Sequence, residues 1–474
     1  MKVKFDQPLQ LDMDKKQTAQ TTVTLLSQML GACLLSCSFI IAKLGWVLAV
    51  FAFTFSVGYD LFVYNYLVKT SCYTQAQSYR QLTERALSKK LSVVLEISII
   101  ISYFSYLTAY IIISSSSITI FIKNVIGYDA NKYIVKAILS TCIIFPLCLL
   151  KSLQQLSKIA AIAGIAIFTF SISIFVYFFI HVGSKTLCVT KDTQQPITYG
   201  LQAFPSVSPF MAFLYFIMYI PLLQGNFTLH NIIPPMVQEL TGTPIMRQKI
   251  VSVSVVISAL LAVLLYITIG ILGASMFGKD IKDNILTAFA PCKWLWVDIL
   301  SLIYAFVTII AYPLVLYPIK VSITCLCKKD PYTQNGYRFQ VLITAICLIL
   351  NCALAMAFEA IVAICGLFSS LAGIVSYFII PIWIVVKYPK IKQDNELINT
   401  TIADSVKSST ESSVYSEKLE VSTVQVDERV QEKVEVVISN GRKTGGIVAI
   451  IFFAFTCGVG VYMNGADVIK AFAT

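Results

Sequence analysis

Residues 221–236 read PLLQGNFTLHNIIPPM and place Gln224, Gly225, Asn226, His230, Asn231 and three prolines between long apolar runs. Pro221 lacks a backbone donor, Gly225 weakens a helix, and Pro234 and Pro235 follow within a few turns. Backbone that leaves the helix at membrane depth survives only where protein or a water-filled cavity satisfies its polar groups. The stretch predicts a discontinuous helix, with one half to about Leu223, a break over 224–231 and a second half to about Leu240. A second knot lies in TTVTLLSQMLGACLLSCSFIIAKLGW (21–46), at Ser27, Gln28, Gly31, Ala32 and Cys33. Half-helix N-termini offer amide donors to a carboxylate, and the facing C-termini offer carbonyls to an ammonium or a cation. Such a pair suits a zwitterion, so Gly31, Ala32, Cys33, Asn226 and Thr228 are the candidate substrate-binding residues. Two kinked helices with no ligand are the plainer alternative.

Other polar residues invite weighing. His230, one of two histidines, is able to carry a proton or orient substrate, or simply to satisfy freed backbone. Asp60 lies inside an apolar run, where a carboxyl is a functional candidate by default; a paired or permanently protonated acid is the alternative. Thr308 stands within a turn of Ala311 and is expected to share a cavity with it. Glu96 is expected to reach the interface, and Glu359 to sit at an outer helix join. The serines at 114–117 read as helix packing. No nucleophile–base pair, no metal cluster and no cofactor motif appears, so an enzyme is not expected.

The elements that must position these residues are apolar helices. The 474-residue chain is 57% hydrophobic and 13% charged, with mean hydropathy +0.77. Soluble chains carry about 25% charged residues. A membrane helix needs about 20 apolar residues, and runs of that kind recur. The class is an all-α, multi-pass integral membrane protein of about eleven spans: 22–43, 45–68, 91–122, 132–150, 158–181, 207–240, 249–277, 294–325, 338–357, 360–387 and 445–463. The third, sixth and eighth exceed one straight crossing and must tilt, break or project. The short alternating segments of a β-barrel are not seen. The net charge of +11 is scattered over helix ends, which argues against nucleic-acid binding. Lys and Arg favour one set of loops by 17 to 9 before the tenth span, placing the N-terminus in the cytosol. The polar N-terminus shows no cleavable signal. Most of the thirteen cysteines lie in apolar helices and behave as small hydrophobes.

The expected organisation is a cytosolic tail over 1–21, a ten-helix core over 22–387, a linker over 388–443, and an eleventh helix with a short end over 444–474. The two interrupted helices lie five spans apart, which divides the core into repeats at 22–181 and 207–387. The linker is rich in Ser, Thr and acidic residues. It reads as a solvated tether, or as a segment regulated by phosphorylation.

Several stretches resemble the amino acid/auxin permease family, most closely its sodium-coupled neutral amino acid transporters (solute carrier family 38). His230, Pro235, Glu239 and Leu240 stand at the family's spacing. LVKT (67–70), SYRQLTERALSK (78–89), SYL (105–107), GASMFG (273–278), DNILTAF (283–289) and YPLVLYPIK (312–320) follow in its order. The resemblance implies the leucine-transporter fold, with ten core helices in two inverted five-helix repeats plus one more. It also implies a bridge between Cys188 and Cys292, the cysteines of two outside loops; free thiols are the alternative. Two departures stand out: Ser27 replaces the family's Asn in the first helix, and Ala311 replaces its sodium-binding Thr in the eighth. They favour proton coupling or exchange over sodium. The ion-coupling candidates are Ser27, His230, Asp60, Thr308 and Ala311.

The functional expectation is a secondary active transporter of neutral amino acids working by alternating access. Its partners are the small substrate and the bilayer; the sequence does not set an oligomeric state. Plasma membrane and an endolysosomal or vacuolar membrane both fit. Alternatives are a cationic amino acid transporter, disfavoured because no acidic residue stands near the breaks, a channel, and a transporter-like sensor signalling through the 388–443 linker.

Overall fold

The computed structural model describes residues 7–149, 153–182, 186–189, 196–327, 329, 333–394 and 446–467. Most of the 388–443 linker therefore lies outside the described residues. The chain opens with α1 (Gln7–Met29), a 3-10 turn (Ala32–Leu35), α2 (Cys37–Leu44), α3 (Trp46–Thr74), α4 (Tyr79–Ala86) and α5 (Lys89–Phe121). Then come α6 (Lys132–Ile138), α7 (Phe145–Cys148) and α8 (Leu153–His181), a hairpin of β1 (Thr186–Val189) and β2 (Pro196–Thr198), α9 (Pro209–Asn226) and α10 (Ile233–Glu239). The chain continues through α11 (Pro244–Phe277), α12 (Ile285–Phe289), α13 (Leu295–Leu326), α14 (Gln334–Ala357) and α15 (Ile361–Gly373). After a π-helical segment (Ile374–Ile379) the helix runs on to Asp394, and α16 spans Gly446–Asp467. Among the described residues, eight helices are long and apolar enough to cross a membrane. Two further apolar segments, 22–44 and 209–239, are interrupted, and 132–148 is one shorter helix with a π-helical stretch at Leu139–Ile144.

Local chemistry explains the starts. Ser78, Ser88, Ser208 and Thr243 cap α4, α5, α9 and α11 by accepting a first-turn amide. Pro209 and Pro244 open α9 and α11, where their missing N–H costs nothing. Two boundaries differ from the sequence reading. Residues 7–21, expected as a tail, belong to α1. No Pro or Gly stops that helix short of Gly31 except Pro8 in its first turn, and α11 satisfies its carbonyls: Ser254 donates to Thr18 and Ser258 to Thr22. The sixth segment stays helical to Asn226, past Pro221, and its break covers 227–232. Of the other long spans, the third and eighth run unbroken over 33 and 32 residues.

The core is a bundle in which α13 packs on α5 and α8, α11 on α1, α2 and α3, and α15 on α5 and α9. The broken helices lie inside it. A disulfide joins Cys188 in β1 to Cys292, 104 residues on. It ties the hairpin before α9 to the loop before α13.

Candidate functional site

Each break frees backbone groups that must find partners. Tyrosines from three packed helices supply many of them. In the first break, Tyr266 of α11 donates to the Met29 carbonyl at 2.8 Å, and Tyr304 of α13 donates to the Gly31 carbonyl at 2.9 Å. In the second, Tyr64 of α3 donates to the Phe227 carbonyl at 2.8 Å, and its oxygen accepts the Leu229 N–H at 2.9 Å. Gln224 donates to the Ser56 carbonyl of α3, and Asn231 to the Tyr103 hydroxyl of α5.

Between the breaks lies a central cavity of about 10 Å³, lined by Ser36, Tyr106, Leu222, Asn226, Val362 and Cys365 among others. That is room for about one water molecule. Ser36 is the N-cap of α2 and makes no side-chain capping bond. Its hydroxyl and Asn226 Oδ1 are buried without a hydrogen-bond partner. Gly225 makes the approach of α5 possible: a Cβ there would overlap the Tyr106 hydroxyl and meet Ser369 Oγ at 3.2 Å. The first-turn amides of α2 are suited to an anion, and Asn226 Oδ1 accepts from a cationic N–H group.

A second cavity of about 100 Å³ joins Ser27, Gly31, Tyr304, Thr308 and Ala311. Ser27 donates to the Thr24 carbonyl, and Thr308 to Tyr304 and Ala305 of its own helix. The Gly31 carbonyl accepts twice, from Tyr304 and from the Leu34 N–H at 3.2 Å. A carbonyl has two lone pairs, so both are in use. Ala311 offers no side-chain oxygen.

The five candidate substrate residues do not share one cavity. Asn226 lines the central one and Gly31 the second. Thr228 faces away, its hydroxyl 3.0 Å from His230 Nδ1. Ala32 and Cys33 lie in the 3-10 turn, and their side chains are outside the described residues. His230 is buried, with Nε2 unpartnered, and its ring packs against Tyr64, Tyr79 and Tyr377. Asp60 is fully buried and faces Tyr64, and no hydrogen bond closes on either oxygen. An acidic residue therefore does stand near a break, one side chain removed, because the helical turn from Asp60 to Tyr64 carries it there. Glu96 is buried, and the partly exposed Arg80 of α4 meets it at 2.7 Å.

Sequence reasoning missed a vestibule of about 500 Å³ on the disulfide side of the central cavity, bordered by Lys132, Lys136, Asp283, Asn284 and Glu359. Glu359 meets Lys132 at 2.7 Å and Lys136 at 3.6 Å. Burial alone would raise its carboxyl, but the Lys132 bond and the Lys136 charge outweigh that and hold it below the usual carboxylate range. Asp283 accepts the Val362 N–H of α15 at 3.3 Å. Burial pushes its carboxyl up to about 6, against the opposing pull of that N–H and of Lys43. It also missed Ser36, although a serine before an apolar helix start is an N-cap signal. Tyr106, Val362 and Cys365 carry no local signal of a site.

Taken together, interrupted helices in a multi-pass bundle with a small, mostly apolar cavity between them are the layout of the leucine-transporter fold. Two solved structures share that fold: the Eremococcus coleocola manganese transporter with an aromatic bis-isothiourea compound (11% identity, TM-score 0.53, 98% of each chain), and Mhp1, a nucleobase-cation-symport-1 family transporter, closed with bromovinylhydantoin bound (9% identity, TM-score 0.52, 96% of this chain and 92% of that one). The chain itself belongs to the family described as transmembrane amino acid transporter protein, matched over residues 14–406. The amino acid transporter AVT6E of Arabidopsis thaliana is 24% identical over 232 residues, 47% of this chain and 44% of that protein. The match thus spans less than half of that relative's length. The family and this relative are described as amino acid transporters.

Proposed function

We propose that this protein moves neutral amino acids across a membrane by alternating access, coupled to protons or to exchange rather than to sodium. The observation that carries the reading is the pair of buried, unpartnered oxygens at the central cavity, Ser36 Oγ and Asn226 Oδ1, one from each broken helix. The substrate carboxylate would meet the α2 N-terminus beside Ser36, and its ammonium would meet Asn226. Among the described residues, no charged side chain lines this cavity, which favours neutral over cationic substrates. The spent lone pairs of the Gly31 carbonyl and the absence of an oxygen at Ala311 argue against a sodium site in the second cavity. The disulfide favours an oxidising compartment on its side, consistent with a cytosolic N-terminus in a plasma, endolysosomal or vacuolar membrane.

The test is uptake of labelled neutral amino acids into proteoliposomes, with sodium and proton gradients imposed separately. Saturable uptake that follows the proton gradient, or counterflow with neither gradient, is the expected result. Uptake that requires sodium would overturn the coupling assignment. Absence of any saturable flux would sink the transporter reading.

A further inference from the structure

We infer that Asp60 is the residue that takes up and gives up the coupling proton, and that Tyr64 passes its charge state to the sixth-helix break. The inference rests on the proposed transport function and goes on to say how the proton is held. Ser56, Asp60 and Tyr64 are spaced four apart on α3, so they share one face of the helix. Ser56 and Tyr64 are the points where this face holds the end of α9: the Ser56 carbonyl accepts from Gln224, and the Tyr64 hydroxyl spans Phe227 and Leu229. Asp60 stands between them, fully buried.

The groups around Asp60 leave it little alternative. Tyr59 and Tyr64 lie beside it on its own helix; behind them, Tyr79 of α4 and Cys457 of α16 face Tyr59, and His230 of the break packs on Tyr64 and Tyr79. No described residue forms an ion pair with it. Tyr59 donates to the Tyr377 carbonyl and Tyr79 to the Ser376 carbonyl. A carboxylate sealed from water needs a donor. The hydroxyl that faces it belongs to Tyr64, which has one proton and spends it on Phe227.

With Asp60 protonated, Tyr64 holds both Phe227 and Leu229, and the break is pinned to α3. When water reaches the carboxylic acid, the proton passes to it, leaving a carboxylate and a hydronium ion. The Tyr64 O–H then turns to the carboxylate, because a charge-assisted bond is the stronger one. The Phe227 carbonyl loses its donor, and the end of α9, next to the cavity-lining Asn226, keeps only the Gln224–Ser56 tie to this face of α3. Re-protonation reverses each step.

The experiment compares wild type with Asp60→Asn in proteoliposomes, with labelled alanine as the probe. Counterflow and accumulation driven by a pH gradient are measured side by side. One proton per substrate across one pH unit sustains about tenfold accumulation. Asp60→Asn, which is neutral at every pH, should lose accumulation, falling to onefold, and whatever counterflow it retains should not vary with pH. Accumulation preserved in Asp60→Asn overturns the inference. Wild-type counterflow without accumulation under the pH gradient overturns it too, yet leaves the transporter reading standing; a wild type without counterflow removes both. Should Asp60→Asn fail to fold, Tyr64→Phe gives an independent reading by difference infrared spectroscopy. Loss of the hydroxyl should shift the carboxylate band that appears as pH rises, because that is the state to which Tyr64 donates; an unmoved carboxylate band overturns the proposal.

Discussion

Replacing Asp283 by Asn removes a carboxyl that burial pushes from 3.8 to about 6, while leaving an oxygen to accept the Val362 N–H. In the unfolded chain the same group titrates near its ordinary value. Between the two values the folded protein holds a proton that the unfolded chain has already lost. Wild-type stability therefore falls as pH rises from about 4 to about 6, and the loss is complete above that. A shift of this size corresponds to about 3 kcal/mol at neutral pH. Part of Asp283 opens on the vestibule, so solvent screening makes that figure a ceiling. Asp283→Asn should match wild type near pH 4 and exceed it at pH 7. Thermal unfolding of both proteins in one detergent across pH 4 to 8 gives the difference curve, with every other titrating group common to the pair. A difference that stays constant with pH, or a wild type that gains on the variant as pH rises, would refute the assignment of a raised carboxyl here.

Gly225→Ala drives a methyl group into the Tyr106 hydroxyl; overpacking of this kind costs about 1–3 kcal/mol. Uptake should fall sharply, and adding Tyr106→Phe should restore part of it in the same vesicles. Tyr304→Phe frees a lone pair on Gly31, and Ala311→Thr adds an oxygen to the same cavity. Sodium should then stimulate uptake by the double variant; an unresponsive variant would count against reading this cavity as a disabled ion site. Arg80→Ala strands the buried Glu96 carboxyl, a loss of about 3 kcal/mol. Adding Glu96→Gln should recover most of the melting temperature.

The interrupted helices were legible because prolines, glycines and amides inside apolar runs contradict a plain membrane helix. Their limits were not. Pro221 removes one donor without stopping α9, and residues 7–21 are too polar to read as a span although α11 completes their bonding. The hydroxyls that close the breaks left no trace in the local pattern. Tyr64, Tyr266 and Tyr304 read as ordinary aromatics of apolar helices, and their partners lie 163 to 273 residues away. The same holds for Glu359, whose lysines come from a helix more than 200 residues earlier. Ser27, Thr308 and Ala311 line one cavity: resemblance pointed to Ser27 and Ala311, and helical spacing brought Thr308 to Ala311.

The fit of Tyr106 over Gly225 sets a limit on kinetics. With room for about one water between the broken helices, an amino acid enters only after Tyr106 and its neighbours withdraw. Association then follows the rate of that withdrawal. The observed binding rate should level off as substrate concentration rises, and the measured affinity is scaled down by the fraction of molecules already open. A substitution that shortens the side chain at 106 would raise the plateau first and change the equilibrium second, which separates the opening step from the strength of the contacts made once the substrate is inside.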